Sequence, residues 1–351
     1  MSFPISPEAI SADWLGAVLG HSGQLKGFNA AKVGTGQMCD SYRLTLDWAD
    51  GEWLGDTDAP ATVIAKCPSH DEASRNIAKL TGTYVKEVSW YRELAAASGV
   101  PAPLCHHSEI ADDEVEFILI LSDLAPARQG DQLKGLDLTG LVPCIEAAAK
   151  LHAHLWGDRR LADISWLARD NGDLVRALFP QLYLGFRERY AARFTPEILD
   201  VGAGIVAKLD AYLSREPAAR TLVHGDLRID NILFSPDGTA CWLVDWQTLG
   251  RGSGAADLAY LVGTSIADPF ERAAADRPAF DHWIAALRAH GVDPDPPALW
   301  DDYRVGALSG YFMAVFASMN VERTDRGDEM FAVMAERPAR QALALGSLDL
   351  L

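Results

Sequence analysis

Hydrophobic and polar positions follow one pattern up to about residue 121 and a different one after it. In the first part, short apolar runs bounded by turn residues predict two strands within residues 31–48, a third over 62–66 and a fourth over 116–121. Between the third and fourth strands, residues 71–97 repeat apolar side chains at helical spacing. These elements predict a small antiparallel sheet accompanied by a helix.

The remainder of the chain is dominated by helical periodicity that is rich in Ala and Leu. The segments that carry it are residues 137–158, 172–192, 196–214, 278–290, 297–320 and 327–346. One β-hairpin is expected among them, over residues 231–245, because Ser-Pro-Asp-Gly at 235–238 is a turn sequence between two apolar runs.

The pattern therefore predicts an α+β chain with two lobes. A small N-terminal antiparallel-sheet lobe with a helix occupies residues 1–121, a hinge occupies 122–126, and a larger, mainly helical C-terminal lobe occupies 127–351. A nucleotide-sized cleft between two such lobes would be a natural binding site.

Composition narrows the functional classes. Hydrophobic residues make up 49% of the 351, so a sizeable core can be buried, and the net charge of −18 argues against binding to nucleic acid or to an anionic membrane. No apolar run approaches the ~20 residues of a transmembrane helix, and the first residues do not have the pattern of a secretory signal. The five cysteines are scattered without a Cys-x-x-Cys pair, so we expect reduced thiols and a cytoplasmic protein.

The residues that point to chemistry are concentrated between His224 and Asp245. They form the pattern His224-x-Asp226-x-x-x-x-Asn231, followed fourteen positions later by Asp245. The predicted hairpin folds Asn231 and Asp245 back to one open end, where an amide oxygen and a carboxylate suit Mg²⁺ together with phosphate oxygens. Asp226 precedes the hairpin and is free to orient a substrate hydroxyl and accept its proton. The sequence therefore predicts phosphoryl transfer from ATP to a hydroxyl.

The predicted N-terminal lobe carries residues suited to phosphate binding. Gly34 and Gly36 would let the backbone approach phosphates closely. Lys66 ends an apolar strand, where an ammonium needs a partner, and a phosphate together with a carboxylate on the next helix would satisfy it. Glu87 is our candidate for that carboxylate. Glu93 is the alternative, although it falls off the apolar face of the helix.

These motifs resemble those of the aminoglycoside phosphotransferase and choline kinase superfamily, which shares the protein-kinase-like fold. Within that superfamily, the chain is most similar to the ecdysteroid-kinase-like branch. The resemblance covers roughly residues 10–320 and rests on the segments 34–44, 63–66, 86–91, 119–126, 150–156, 224–234, 245–247 and 257–261.

The resemblance implies a role for each matching residue of the second lobe. Asp226 would be the catalytic base, and Asn231 and Asp245 would bind Mg²⁺. Asp257 would brace the catalytic loop by accepting backbone N–H bonds, and His224 would support the same loop.

The resemblance also implies an ATP site built largely from the first lobe. The glycine loop and the ion-paired lysine would hold the phosphates, and the backbone around 121–124 would receive the adenine. The nucleotide-binding residues implied in this way are Gly34, Gly36, Ser41, Lys66, Glu87, Leu121, Ser122 and Leu124.

Two departures from protein kinases indicate a small-molecule hydroxyl as the acceptor. Asp245 is followed by Trp-Gln rather than Phe-Gly, and only twelve positions separate Asp245 from Asp257, too few for a long segment that docks polypeptides. The alternatives are a nucleotide-binding pseudokinase or partner-binding module without turnover, and a protein kinase. The oligomeric state is left open.

The acceptor is left open between two chemical classes. The negative net charge would suit an amine such as an aminoglycoside or choline. Aromatic side chains at helical spacing in residues 181–190 and 307–320 would instead suit an apolar alcohol, if some of them line a pocket rather than the core.

Overall fold

The computed structural model describes residues 3–34, 38–49, 59–168, 172–321 and 323–351. The chain divides into two compact units, one of Met1–Ala97 and Ala102–Ala125 and the other of Ser98–Pro101 and Pro126–Leu351. Ser98–Pro101, which the sequence places in the first lobe, belongs to the second unit, where Pro101 O accepts a hydrogen bond from Leu243 N at 2.8 Å.

The first unit is built on a five-stranded antiparallel sheet with the order β1-β2-β3-β5-β4. Its strands are β1 (Leu25–Val33), β2 (Cys39–Trp48), β3 (Thr62–Pro68), β4 (Cys105–Ile110) and β5 (Phe117–Ser122). The strands predicted from apolar runs are confirmed. Strand β4 was missed because its sequence, Cys-His-His-Ser-Glu-Ile, is mostly polar and every residue in it is half-buried.

Four helices accompany the sheet of the first unit among the described residues. They are α1 (Ala12–Val18), α2 (Glu72–Thr81), α3 (Thr83–Ser89) and α4 (Ala95–Ser98), with a π-helical turn at Trp90–Leu94. Ser11 caps α1 by accepting a hydrogen bond from Trp14 N at 3.2 Å. The single helix expected over 71–97 is divided because Gly82 adopts φ of +71° and ends α2.

The second unit is mainly helical, as the sequence predicts. Its helices are α5 (Leu138–His154), α6 (Arg160–Asp163), α7 (Gly172–Tyr190), α8 (Pro196–Ala207), α9 (Leu209–Ser214), α10 (Gly254–Ser265), α11 (Pro269–Ala289), α12 (Pro296–Gly306), α13 (Leu308–Asn320) and α14 (Asp325–Leu345). Helix α10 was not predicted. It is buried along nearly its whole length, so its sequence has no polar face to reveal a helical period. No described helix is long and apolar enough to cross a membrane.

Short strands interrupt the helices of the second unit. They are β6 (Arg128–Gln129), β7 (Thr221–Val223), β8 (Ile232–Phe234), β9 (Cys241–Leu243) and β10 (Gly250–Gly252). Strands β8 and β9 form the predicted hairpin, with Ile232 opposite Leu243 and with Ser235 N donating to Ala240 O at 2.9 Å across the turn. Strand β6 extends this hairpin to three strands, and β7 pairs with β10.

Aromatic side chains of α7 and α13 fill the core of the second unit. Tyr183, Phe186, Tyr190 and Tyr311 are at most 4% exposed and belong to one apolar cluster with residues of α8 and α14. A Cβ on Gly202 of α8 would come within 2.3 Å of the Tyr183 ring. These aromatics therefore pack as core, and the case for an apolar acceptor that rested on them is weakened.

Candidate active site

Lys66 and Glu87 form a buried ion pair in the first unit. Lys66 lies in β3, Glu87 lies in α3, and Nζ and Oε1 are 2.6 Å apart. Lys66 is 8% exposed and Glu87 is 1% exposed. Glu93, the alternative partner, lies in the π-helical turn after α3 and is exposed. The structure thus pairs the ammonium of Lys66 with the carboxylate of Glu87, the partner that the helical period favoured over Glu93.

The glycine loop is described on either side of its centre. Gly34 adopts φ of +76°, which favours glycine, whereas Gly36 lies outside the described residues. Ser41 is half-buried in β2 and pairs with Val33 of β1 and with Lys66 of β3. The register therefore puts Ser41 beside the lysine at the same level of the sheet.

Tyr84 of α3 ties the end of this loop to the end of β3. Its hydroxyl donates to Met38 O and accepts from Ser69 N at 3.2 Å. Tyr84 is fully buried, and this burial raises the pKa of its phenol to about 12. The neutral phenol can therefore act as donor and acceptor at once.

The segment expected to receive adenine follows the end of β5. Leu121 is buried, and Ser122 N already donates to Leu104 O at 2.8 Å. Leu124 is half-buried. Between Ser122 and Leu124, Asp123 accepts two hydrogen bonds from the guanidinium of Arg43, at 2.5 and 3.1 Å, so the backbone at this point is fixed to β2.

Asp257 fixes the backbone of the predicted catalytic loop, residues 224–231, in the second unit. It lies on α10 and is 5% exposed. Its Oδ2 accepts from His224 N at 2.5 Å and its Oδ1 accepts from Gly225 N at 3.1 Å. Because charge-assisted bonds to backbone N–H groups are strong, this carboxylate holds the two residues that precede Asp226.

Asp257 is held in turn by His152 of α5. His152 Nε2 lies 3.3 Å from Asp257 Oδ2, and Trp283 Nε1 lies 3.0 Å from His152 Nδ1. Indole N–H can only donate, so Nδ1 accepts and Nε2 carries the proton that is donated to Asp257. His152 is fully buried, and it supports the predicted catalytic loop through Asp257 rather than binding a metal.

The loop is also packed closely against residues 244–248. His224 Nε2 donates to Val244 O at 3.1 Å, and Thr248 Oγ1 donates to His224 O at 2.8 Å. Gly225 has φ of +80°, and a Cβ there would lie 2.5 Å from Thr248 O. Glycine is therefore required at this position for both its conformation and its size.

Asp226 is surrounded by donors. Its Oδ1 accepts from the Tyr260 hydroxyl at 2.6 Å, and its Oδ2 accepts from Asn231 Nδ2 at 2.8 Å. Arg228 Nε lies 3.2 Å from both oxygens. Burial alone would raise the pKa of Asp226, but the Arg228 guanidinium and the Tyr260 hydrogen bond outweigh it and hold the pKa below its usual range. Asp226 is therefore an ionised, oriented carboxylate.

Asn231 and Asp245 stand at the open end of the β8–β9 hairpin. Asn231 O accepts a hydrogen bond from Val244 N at 3.0 Å. Asp245 is the next residue after Val244, so it lies at the same end of the hairpin as Asn231. Asn231 Nδ2 donates to both the side chain and the backbone O of Asp226, which leaves Oδ1 as the amide atom that can face a cation. Asp245 adopts φ of +68°, an unusual conformation for a residue with a Cβ.

The sequence profile of the Phosphotransferase enzyme family (APH) matches residues 52–274, which span the Lys66–Glu87 pair, the catalytic loop and Asp257. The chain belongs to this family. It is accordingly a small-molecule kinase. No curated protein matches the sequence significantly.

Solved structures share the fold of this phosphotransferase at low sequence identity. Choline kinase from Cryptosporidium parvum Iowa II has a TM-score of 0.55 and 11% identity, covering 92% of this chain and 91% of its own. The GDP complex of wild-type aminoglycoside 2'-phosphotransferase-IIIa has a TM-score of 0.53 and 13% identity, and the match covers 89% of this chain and 92% of its own. Choline kinase LicA from Streptococcus pneumoniae has a TM-score of 0.51 and 13% identity, and the match covers 95% of this chain and 96% of its own. The expected α+β protein-kinase-like fold is confirmed, whereas the ecdysteroid-kinase-like branch stays a prediction.

Two residues beside Asp226 in the phosphotransferase were not singled out from the sequence. Arg228 lies in the loop between two buried apolar residues, and Tyr260 lies on the buried helix α10. Arg228 also contacts Asp230 Oδ2 at 2.9 Å and Met330 Sδ at 3.4 Å. Tyr260 shares a helix face with Asp257, three positions before it, but this spacing gave no usable signal because α10 was not predicted as a helix.

The donor set at the hairpin fits Mg²⁺. This ion takes one or two protein side chains together with phosphate oxygens and water, and Asn231 and Asp245 supply an amide oxygen and a carboxylate. Within the described ranges, no group of three or more His, Cys, Asp or Glu residues is placed to hold a metal ion.

Proposed function

We propose that this kinase transfers a phosphoryl group from ATP, with Mg²⁺, to the hydroxyl of a small molecule. The observation that supports this most strongly is the environment of Asp226, which is ionised, oriented by three donors and joined to Asn231 by a 2.8 Å hydrogen bond. Positioning of this kind is what phosphoryl transfer requires of a protein, since the transferred group needs little covalent assistance.

In this proposal Asp226 acts on the acceptor. Its carboxylate accepts a hydrogen bond from the acceptor hydroxyl and then takes the proton as the new bond from the acceptor oxygen to phosphorus forms. The bond from phosphorus to the ADP oxygen breaks in the same step, and ADP leaves with the electron pair. Asp226 needs to be ionised for this role, and its lowered pKa supports that state.

Lys66 and Glu87 act on the nucleotide in the same proposal. Lys66 would bind phosphate oxygens of ATP, and Glu87 would keep its ammonium charged and oriented in a buried position. The glycine loop from Gly34 to Ser41 would approach the phosphates, and the backbone at 121–124 would receive the adenine. Asn231 and Asp245 would hold Mg²⁺, which would neutralise charge on the phosphate oxygens.

The acceptor is a small molecule that bears a hydroxyl group. Asp226 contacts the positive guanidinium of Arg228 and the neutral phenol of Tyr260. Arg228 in turn contacts the carboxylate of Asp230 and the thioether of Met330. A cationic amine is therefore not specifically favoured at this carboxylate, because Arg228 already compensates its charge.

The experiment that tests the proposal is Asp226→Asn, with labelled ATP and a panel of metabolite alcohols as acceptors. Loss of the base predicts a fall in kcat of about a hundredfold or more, while the affinity for ATP measured by calorimetry is retained. Asp237→Asn, in the exposed hairpin turn, is the control and keeps full activity.

Three results would change the assignment. Unaltered turnover in Asp226→Asn would remove Asp226 from its role. ATP binding without turnover of any acceptor by the wild-type protein would indicate the nucleotide-binding alternative. Labelling of polypeptides in a protein extract, rather than of metabolites, would indicate a protein kinase.

A further inference from the structure

The two oxygens of Asp226 do not have equivalent donors. The Tyr260 hydroxyl donates to Oδ1 at 2.6 Å and Asn231 Nδ2 donates to Oδ2 at 2.8 Å, each a short bond to one oxygen. Arg228 Nε is shared between the two oxygens at 3.2 Å. The shortest contacts to the carboxylate therefore come from Tyr260 on one side and from Asn231 on the other, and they fix its orientation together with the shared contact from Arg228.

Tyr260 comes from the same helix that holds the backbone of the loop. Asp257 of α10 binds His224 N and Gly225 N, and Tyr260 lies one turn further along α10. Residues three apart share a face of a helix. One face of α10 thus fixes the backbone that leads to Asp226 and also the side chain of Asp226 itself.

The Tyr260 ring has little freedom to move. It is 2% exposed and belongs to the apolar core of the second unit. A Cβ on Gly310 of α13 would lie 3.2 Å from its Cδ2, and Met334 Sδ lies 4.0 Å from its hydroxyl. Burial raises the pKa of Tyr260 well above its usual range, so the hydroxyl keeps its proton and remains a donor.

We propose that Tyr260 is a positioning residue for Asp226: its hydroxyl orients the carboxylate so that one lone pair is presented to the acceptor hydroxyl. This rests on the proposed function of Asp226. Arg228 makes the longest contact and divides it between the two oxygens, whereas Tyr260 holds one oxygen in place.

The test is a double-mutant cycle of Tyr260→Phe and Asp226→Ala, read as kcat and as KM for ATP. Alone, Tyr260→Phe lowers kcat about ten- to a hundredfold, as expected for a lost hydrogen bond to a charged group, and leaves KM for ATP unchanged. In the Asp226→Ala background there is no carboxylate to orient, so the same change lowers kcat by less than about twofold.

Tyr303→Phe is the matched control. Tyr303 is another fully buried tyrosine, whose hydroxyl donates to an aspartate, Asp276, at 2.8 Å. Its removal lowers the stability to urea but leaves kcat within about twofold of wild type. The comparison separates the loss of a buried tyrosine hydroxyl from the loss of this particular contact.

Two results would overturn the role of Tyr260 and leave the proposed function intact. One is a Tyr260→Phe protein with wild-type kcat. The other is an equal fall in kcat in both backgrounds, which is the behaviour of a structural residue. Wild-type kcat in Asp226→Ala would instead overturn the proposed function itself, and the role of Tyr260 with it.

Discussion

Lys66 and Glu87 lie on different elements, a strand and the second helix after it, yet their charged atoms are 2.6 Å apart and almost fully buried. Taking two such charges out of water is costly, and the cost is recovered only if both are present. Substitutions at this pair can therefore separate its contribution to stability from its proposed role in nucleotide binding.

Glu87→Gln is expected to lower the free energy of unfolding by about 3 kcal/mol, because Lys66 loses this counter-charge in a buried site. The affinity for ATP should fall as well. Both are measured on the same protein, by urea unfolding and by calorimetry. Glu93→Gln is the control, since Glu93 is exposed, and equal effects of the two changes would contradict the pairing.

The double variant Lys66→Met with Glu87→Leu separates the two effects. Apolar side chains of similar volume often replace a buried ion pair without loss of stability, so the unfolding free energy should recover while ATP binding stays lost. Recovery of ATP binding together with stability would remove Lys66 from the nucleotide site.

The Lys66–Glu87 pair could be predicted because both residues carry a strong local signal. A lysine at the end of an apolar strand needs a carboxylate, and the helical period distinguishes Glu87 from Glu93. The hairpin that joins Asn231 to Val244 was predictable for a similar reason, since a turn sequence between two apolar runs fixes the register.

The contacts of Arg228 and Tyr260 could not be predicted from such signals. A charged residue in a loop is indistinguishable from a solvated one until the packing around it is known. Tyr260 lies in a run of buried residues without a period, where a tyrosine is indistinguishable from core. The contact of Tyr260 with Asp226 depends on tertiary structure, because α10 and the loop that carries Asp226 are separated in the chain by the hairpin.

Gly225→Ala is expected to lower kcat severely. The added Cβ would meet Thr248 O at 2.5 Å, at a residue with φ of +80°, so the loop must move away from residues 244–248 and carry Asp226 with it. We also expect a loss of unfolding free energy above the ~1–2 kcal/mol that the left-handed conformation alone costs.

Gly238→Ala provides the matched control. Gly238 also has positive φ, +73°, but nothing lies within 4 Å of its added Cβ. This variant should lose only the conformational ~1–2 kcal/mol and retain its kcat. Similar kinetics in the two alanine variants would show that the packing of Gly225 on Thr248 does not position the catalytic loop.

Asp245→Ala tests the proposed Mg²⁺ site through binding rather than turnover. Wild-type protein should bind ATP more tightly with Mg²⁺ than with EDTA, and the variant should lose that difference because only Asn231 remains to contact the ion. Calorimetry under both conditions gives the result. Asp237→Asn should retain the full metal dependence, and a retained difference in Asp245→Ala would exclude Asp245 as a ligand.

Tyr84 predicts a pH dependence of stability in the alkaline range. Its pKa is raised from 10.0 to about 12, chiefly by burial, so the folded protein holds the phenolic proton more tightly than the unfolded chain. The stabilisation is fully present below pH 10 and is lost as the pH rises towards about 12. The ionised phenol could no longer donate to Met38 O.

In Tyr84→Phe the free energy of unfolding should therefore decline less steeply between these pH values, by up to about 1.4 kcal/mol per pH unit. Urea unfolding of both proteins across this range measures the difference, and other titrating groups cancel because both proteins share them. Parallel curves would mean that burial does not raise the pKa of the Tyr84 phenol above that in the unfolded chain.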